Sequence, residues 1–162
     1  MRPTHQEVSR YLRLGGRLPE GELLARTEAL MAEAPLEAAS CHLRTGDRVY
    51  LCGTVGRRFD AWQRRLAVLS AADALIAQAI GTAAVERVMD ELEAEVRGEL
   101  GEGERLEPRR SPGYGELPLD LSREILARLD ATRRLGVSLT ASLLLVPSKS
   151  VTAVCRIAGP GP

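Results

Sequence analysis

The β-forming stretches of this chain come in adjacent couples, and that constrains the fold more than any other feature. Residues 38–44 and 48–55 flank Thr45-Gly46-Asp47, and residues 137–146 and 151–157 flank Pro147-Ser148-Lys149-Ser150. Strands joined by so few residues pair antiparallel, because a parallel pair needs a crossover of roughly a dozen residues or more. Helical patterns lie between and around the couples rather than alternating with single strands. The expected fold class is therefore α+β, with a central antiparallel sheet built from hairpins and flanking helices; a doubly wound parallel sheet is disfavoured. If Arg44 faces Val49 across the first turn, Cys41 falls opposite Cys52. Two packed thiols are expected there rather than a redox pair.

The helices carry their own punctuation. Thr4 and Glu7 stand at capping-box spacing and open a short helix through Tyr11-Leu12, ended by Gly15-Gly16. Pro19 suits the first position of a second helix that repeats from Glu22 to Met31 and is closed by Pro35. Phe59, Trp62, Leu66 and Leu69 form one stripe, expected to be core. Ser70 and Asp73 start a long helix that can reach Leu100, with Gly81 inside it. A glycine there costs about 1 kcal/mol against alanine, so either a neighbour approaches closely or the helix bends. Residues 119–129 read as an amphipathic helix with Arg133, Arg134 and Gly136 at its C-terminal end. Residues 1–36 are expected as an N-terminal helical segment and 37–158 as the α+β core of one domain, with 159–162 a disordered tail.

Composition removes several classes of function. Twenty-two basic residues balance 22 acidic ones, whereas a dedicated nucleic-acid binder shows a basic excess. No apolar run approaches the roughly 20 residues that span a bilayer. The start, Met1-Arg2-Pro3-Thr4, has no apolar signal core, so the expected location is the cytoplasm. Aromatic residues make up only 3% of the chain, which leaves Leu, Val, Ile and Ala to build the core. Cys41, Cys52 and Cys155 lack metal-ligand spacing, and His5 and His42 are far apart, so a multi-histidine metal centre is not expected.

The segment Arg109-Arg110-Ser111-Pro112-Gly113-Tyr114-Gly115-Glu116-Leu117-Pro118 is the candidate ligand site. Pro112 fixes its own φ and extends Ser111, and Gly113 and Gly115 open conformations that other residues avoid. Such a segment is rigid without being helix or strand. It can aim Arg109, the backbone near Ser111 and Gly113, and the Tyr114 ring at a small polar ligand with a flat part. Gly113-Tyr114-Gly115 is only half of a phosphate-loop pattern and lies between helices, so phosphate binding is weakly supported. Ser148, Lys149 and Tyr114 have no histidine or carboxylate at a spacing that would support nucleophilic catalysis. The turn 147–150 reads either as a connection with a solvated Lys149 or as a second wall beside the ligand. Glu86 reads as an exposed helix carboxylate, brought into consideration by Gly81 and Ala83-Ala84, which let another segment come near.

Together with Thr54-Val55-Gly56, Ile80-Gly81-Thr82-Ala83-Ala84-Val85-Glu86, Leu139-Thr140-x-Ser142-Leu143 and Pro147-Ser148-Lys149-Ser150-Val151-Thr152-Ala153, this segment resembles the activation (reactivation) domain of cobalamin-dependent methionine synthase, in its free-standing version. The likeness spans roughly residues 48 to 157. It implies S-adenosylmethionine bound in a shallow groove beside the sheet, and cobalamin held by a partner protein. The implied job is to support reductive remethylation of a corrinoid methionine synthase core, or a related corrinoid protein, with an electron from a flavodoxin-type reductant. The chain would be a component of that methyltransferase activity rather than a complete enzyme. The implied ligand contacts are Arg109 on the carboxylate, Glu86 on the ammonium or sulfonium, backbone around Ser111 and Gly113 on the adenine edge, and Tyr114 packed on the ligand. The alternative is a non-catalytic docking module or chaperone for a corrinoid protein that binds no S-adenosylmethionine. A free-standing small-molecule methyltransferase ranks last, since no glycine-rich loop follows a first strand. Neither a nucleic acid nor a membrane is an expected partner.

Overall fold

The computed structural model describes residues 2–14 and 17–159. Helices α1 (His5–Tyr11) and α2 (Gly21–Glu33) precede the hairpin of β1 (Ala39–Thr45) and β2 (Arg48–Thr54). Then come α3 (Arg57–Leu69), α4 (Ala71–Gly98), β3 (Arg105–Leu106), α5 (Leu121–Leu129), α6 (Ala131–Leu135), β4 (Ser138–Leu139), β5 (Leu145–Val146) and β6 (Ser150–Ala158). The main sheet is antiparallel with strand order β1-β2-β6-β3. The fold is thus α+β, as the coupled strands required. No described helix is long and apolar enough to cross a membrane.

Strand alternation divides the core. Val49 and Leu51 of β2 with Ala153 and Cys155 of β6 pack on Met89, Leu92 and Val96 of α4. The intervening Tyr50 and Cys52 pack on Ile125, Leu126 and Leu129 of α5 and on Ala131 of α6. The period of two therefore places α4 on one face of the sheet and α5–α6 on the other. A third cluster joins Val8, Leu30 and Phe59 to Ile76, Ile80 and Ala84, and so seats α1, α2 and α3 on the N-terminal half of α4.

Local signals behave as their chemistry dictates. Thr4 Oγ1 accepts from Glu7 N at 3.3 Å while Glu7 Oε2 accepts from Thr4 N at 2.6 Å, a complete capping box. Ser70 Oγ accepts from Asp73 N at 3.2 Å, but the Asp73 carboxylate turns to Arg26 at 2.7 and 2.5 Å. Arg44 faces Val49 and Cys41 faces Cys52, the register set by the tight turn at Gly46, whose φ is +60°. Gly81 marks a close approach. A Cβ built there would stand 2.5 Å from Phe59 Cε1.

Several expectations are corrected. Pro19 lies ahead of the cap residue Glu20 rather than at the first helical position. Leu69 leaves the α3 stripe and is exposed, because the chain turns at Ser70 into α4. The helix begun at Leu121 breaks at Asp130, whose φ is +50°, and restarts as α6. Residues 137–146 do not form one strand paired with 151–157. Thr140 N donates to Leu144 O at 2.9 Å and Thr140 Oγ1 accepts from Leu144 N at 3.1 Å, closing a turn inside the run. A threonine side chain offers the backbone an alternative to the ladder, so β4 folds back on β5 and β6 is left to pair with β2. The expected helix end at Gly15-Gly16 and the tail beyond Gly159 lie outside the described residues.

Candidate functional site

The site arises where the edge of β6 loses its partner. After β3 the chain continues along β6, with Glu107 N donating to Arg156 O at 2.8 Å. Arg110 and Val154 then exchange both main-chain bonds, at 3.0 and 2.9 Å. Two residues further on stands Pro112, which has no N–H to continue a ladder. The chain turns off there. Tyr114 N donates to Ser111 O at 3.2 Å, Gly113 N donates to Leu117 O at 2.9 Å, and Gly113 and Gly115 have φ of +88° and +60°. Between this turn and residues 143–152 lies an open groove of about 680 Å³.

One wall of the groove is electrostatic. Glu86, Asp90 and Glu93 lie on successive turns of α4, and all three bond the Arg109 guanidinium. Arg109 Nη2 donates to Glu86 Oε2 at 2.6 Å, and Nη1 donates to Asp90 Oδ1 at 2.7 Å and to Glu93 Oε1. Glu93 is buried and also accepts from Arg97 at 2.7 Å. Burial alone would favour loss of the Arg109 proton, but the bonds to Asp90, Glu93 and Glu86 outweigh it and raise the pKa above the ordinary arginine value. Three carboxylates against two guanidiniums leave one surplus negative charge. Of the three, Glu86 lines the groove.

The opposite wall is pinned by buried polar contacts. Ser148 donates from its N and its Oγ to Asp60, both at 2.8 Å, which ties the turn 147–150 to α3. Ser150 Oγ donates to Thr54 Oγ1 at 2.8 Å. Lys149 is not solvated, as one reading of the turn expected. It is buried between α3 and α4, and its Nζ donates to Thr82 Oγ1 at 2.9 Å. Burial lowers its pKa, and the nearby Asp60 charge opposes that shift. The floor holds Thr152, whose Oγ1 shares a 3.1 Å hydrogen bond with Ser122 Oγ. Tyr114 stands 76% exposed at the rim, so its ring has a free face for a ligand.

Among the residues expected from sequence, Glu86, Arg109, Ser111 and Tyr114 line one groove. Gly113 shapes the turn, and its N–H is already engaged by Leu117. Sequence reasoning missed Ser122, Thr152 and the second and third carboxylates on Arg109. The helical spacing of Glu86, Asp90 and Glu93 was a usable signal for that clamp. At the far, β1 edge of the sheet, His42, Glu95 and Glu99 bring ligand atoms within 4.8 Å of one another. His42 Nε2 lies 3.0 Å from Glu99 Oε2, and the two glutamates are exposed. A single histidine and two surface carboxylates are what an ordinary helix-to-strand polar contact looks like.

No protein-family model matches the sequence, and a search of curated proteins finds no match. Among solved structures the chain is similar to the crystal structure of the MetH reactivation domain bound to AdoHcy. The TM-score is 0.55 and the sequence identity 19%, over 67% of this chain. The match spans 38% of the length of that chain. At this identity the likeness is one of fold: the curled antiparallel sheet with its flanking helices is shared.

Proposed function

We propose that the groove beside β6 binds S-adenosylmethionine, and that the chain works as a free-standing activation-domain-like protein that supports reductive remethylation of a corrinoid methionine synthase. What supports this reading is the convergence of Glu86, Arg109, Ser111 and Tyr114 on one groove, in a fold whose solved neighbour holds AdoHcy.

The chemistry of the lining suits such a ligand. An ionised carboxylate only accepts hydrogen bonds, so Glu86 takes an ammonium or faces a sulfonium, and the surplus negative charge adds to this. Arg109 uses three of its five N–H donors on α4, leaving the other two for the ligand carboxylate. The exposed Tyr114 ring packs on adenine. The groove is open, so a bound methyl donor remains within reach of an acceptor carried by a second protein. Cobalamin belongs to that partner, and the electron to a flavodoxin-type reductant.

The test is calorimetric. Titration of S-adenosylmethionine should give saturable binding to the wild-type chain and weaker binding to Tyr114→Ala. A flat titration at millimolar ligand overturns the reading. The partner is tested by adding the chain to an oxidised methionine synthase core that lacks its own activation domain. Recovery of activity should need the chain, the reductant and S-adenosylmethionine together.

One observation favours the docking-module reading instead. Tyr114, Leu119 and Leu144 line the groove and are exposed, largely apolar side chains, a surface suited to protein contact. Capture of the corrinoid partner that ignores S-adenosylmethionine would favour that reading.

A further inference from the structure

We infer that the main-chain N–H and C=O of Thr152 form the edge of the groove that reads the adenine base. The inference rests on the S-adenosylmethionine reading for its ligand, and on the geometry of β6 for everything else.

In an antiparallel sheet one residue's N–H and C=O point to the same side, and the next residue's point to the other. Four contacts fix the sense along β6. Lys149 O accepts from Val55 N at 3.0 Å and Ile157 N donates to Asp47 O at 2.7 Å, so odd-numbered residues face β2. Arg156 O accepts from Glu107 N, and Val154 exchanges both bonds with Arg110, so even-numbered residues face the opposite edge. Thr152 is even. Its N–H and C=O point away from β2, toward the position opposite it on the 105–112 segment.

That position is Pro112. Arg110 pairs with Val154, and two steps along each strand in opposite directions bring Pro112 opposite Thr152. Proline has no N–H for the Thr152 carbonyl, and the turn at Gly113 carries the chain away. Among the described residues neither main-chain group of Thr152 has a hydrogen-bond partner. Yet Thr152 is only 3% exposed and lines the groove. Its hydroxyl is occupied by Ser122, so the side chain does not supply the missing bonds. Buried main-chain donors and acceptors are almost always paired, and an orphaned pair on a groove floor calls for a ligand that completes it.

The ligand must offer an acceptor beside a donor. Adenine does: its exocyclic 6-amino group donates next to a ring-nitrogen acceptor. Thr152 N–H thus donates to the ring nitrogen, and Thr152 C=O accepts from the amino group. Pro112 is the residue that keeps this edge open, by ending the β3–β6 ladder one pair early.

The experiment follows the Thr152 amide by NMR in the ¹⁵N-labelled full chain during separate titrations with adenosine, purine riboside and S-adenosylmethionine. Purine riboside lacks only the 6-amino donor and adds no bulk. Adenosine and S-adenosylmethionine should both move the Thr152 amide, and purine riboside should bind roughly tenfold more weakly than adenosine. If S-adenosylmethionine binds with the Thr152 amide unmoved, or purine riboside binds as tightly as adenosine, the adenine-edge inference falls and the S-adenosylmethionine reading stands. If adenosine moves Thr152 but S-adenosylmethionine binds no more tightly than adenosine, the edge stands and the larger reading falls. Absence of binding by all three overturns both.

Discussion

Phe59 occupies the space that a side chain at position 81 would need. A Cβ on Gly81 would lie 2.5 Å from Phe59 Cε1, 2.8 Å from Cζ and 3.0 Å from Lys149 Cε. Phe59 is fully buried and tilts at 52° against Trp62, with ring centroids 5.3 Å apart, so it has little room to retreat. One residue thus lets α3, α4 and the turn that walls the groove meet.

Gly81→Ala should therefore destabilise the protein despite a better helix former. Overpacking a filled core costs about 1–3 kcal/mol, and the gain in helix propensity returns about 1 kcal/mol. The melting temperature should fall by a few degrees. Adding Phe59→Leu, which removes the clashing ring edge, should restore part of the loss. A variant as stable as wild type would show that the contact is not tight.

Arg109 holds the 109–118 segment to α4 through three carboxylates, one of them the buried Glu93. Arg109→Met keeps much of the side-chain volume but removes the positive charge from that cluster. We expect a loss of about 2–3 kcal/mol in urea unfolding, below the range for a fully buried pair because Arg109 is 21% exposed and Arg97 still serves Glu93. Arg109→Met combined with Glu93→Gln should recover part of it. Equal stability of the single variant and wild type would show the clamp to be dispensable.

The parts of this molecule that were legible in sequence are those set by local chemistry. Gly46 and the short turn around it fix the register that places Cys41 opposite Cys52. Pro112, Gly113 and Gly115 force the turn that carries Ser111 and Tyr114. What was hidden comes from pairing between distant segments. Arg105–Leu106 is too short to show an alternating pattern, yet it and Arg110 decide where the edge of β6 is covered. Residues 137–146 are β-rich like a strand, but the turn that the main chain and side chain of Thr140 close on Leu144, with Leu143 at a φ of +64°, diverts them into β4 and β5. Thr152 lies within the 147–153 stretch, but nothing in that pattern marks it as a ligand contact; its place in the groove follows from its parity on β6 and from the proline opposite it.

Glu104 makes a bidentate pair with Arg44, at 2.6 and 2.9 Å, and its Oε2 accepts from Gly101 N at 2.8 Å. The Arg44 bonds first, then the Gly101 amide, depress its pKa from the ordinary 4.5 to about 2. A carboxylate with a depressed native pKa stabilises above its unfolded value, and that stabilisation is lost as pH falls through the native one. Wild type should thus exceed Glu104→Gln in stability at neutral pH, with the difference closing between about pH 4.5 and about pH 2. A constant difference across that window would contradict the assignment.

The three thiols should be silent in the folded protein. Burial, with the neighbouring Cys41 adding to it, raises Cys52 to about 12, and burial raises Cys155 to about 12. Burial also raises Cys41. Thiolate is the reactive form, so at pH 8 a disulfide reagent should label none of the three in native protein and all three in denaturant. Rapid native labelling of any one would mean that its side of the sheet opens.

Glu86 and Glu91 sit on the same helix, and both bond an arginine, but Glu86 lines the groove while Glu91 pairs with Arg87 elsewhere on α4. Comparing their neutral isosteres separates ligand binding from general loss of charge. Glu86→Gln should weaken S-adenosylmethionine binding about tenfold, the cost of losing a charge-assisted contact to the cationic end of the ligand. Glu91→Gln should bind as wild type within about twofold, because its carboxylate is screened by solvent and paired with Arg87. Ionic strength adds a further check. Raising salt should weaken wild-type binding more than it weakens Glu86→Gln, since the variant has already lost the nearest charge. Equal weakening by both substitutions would assign the effect to the overall field of α4, and an unaffected Glu86→Gln would remove Glu86 from the site.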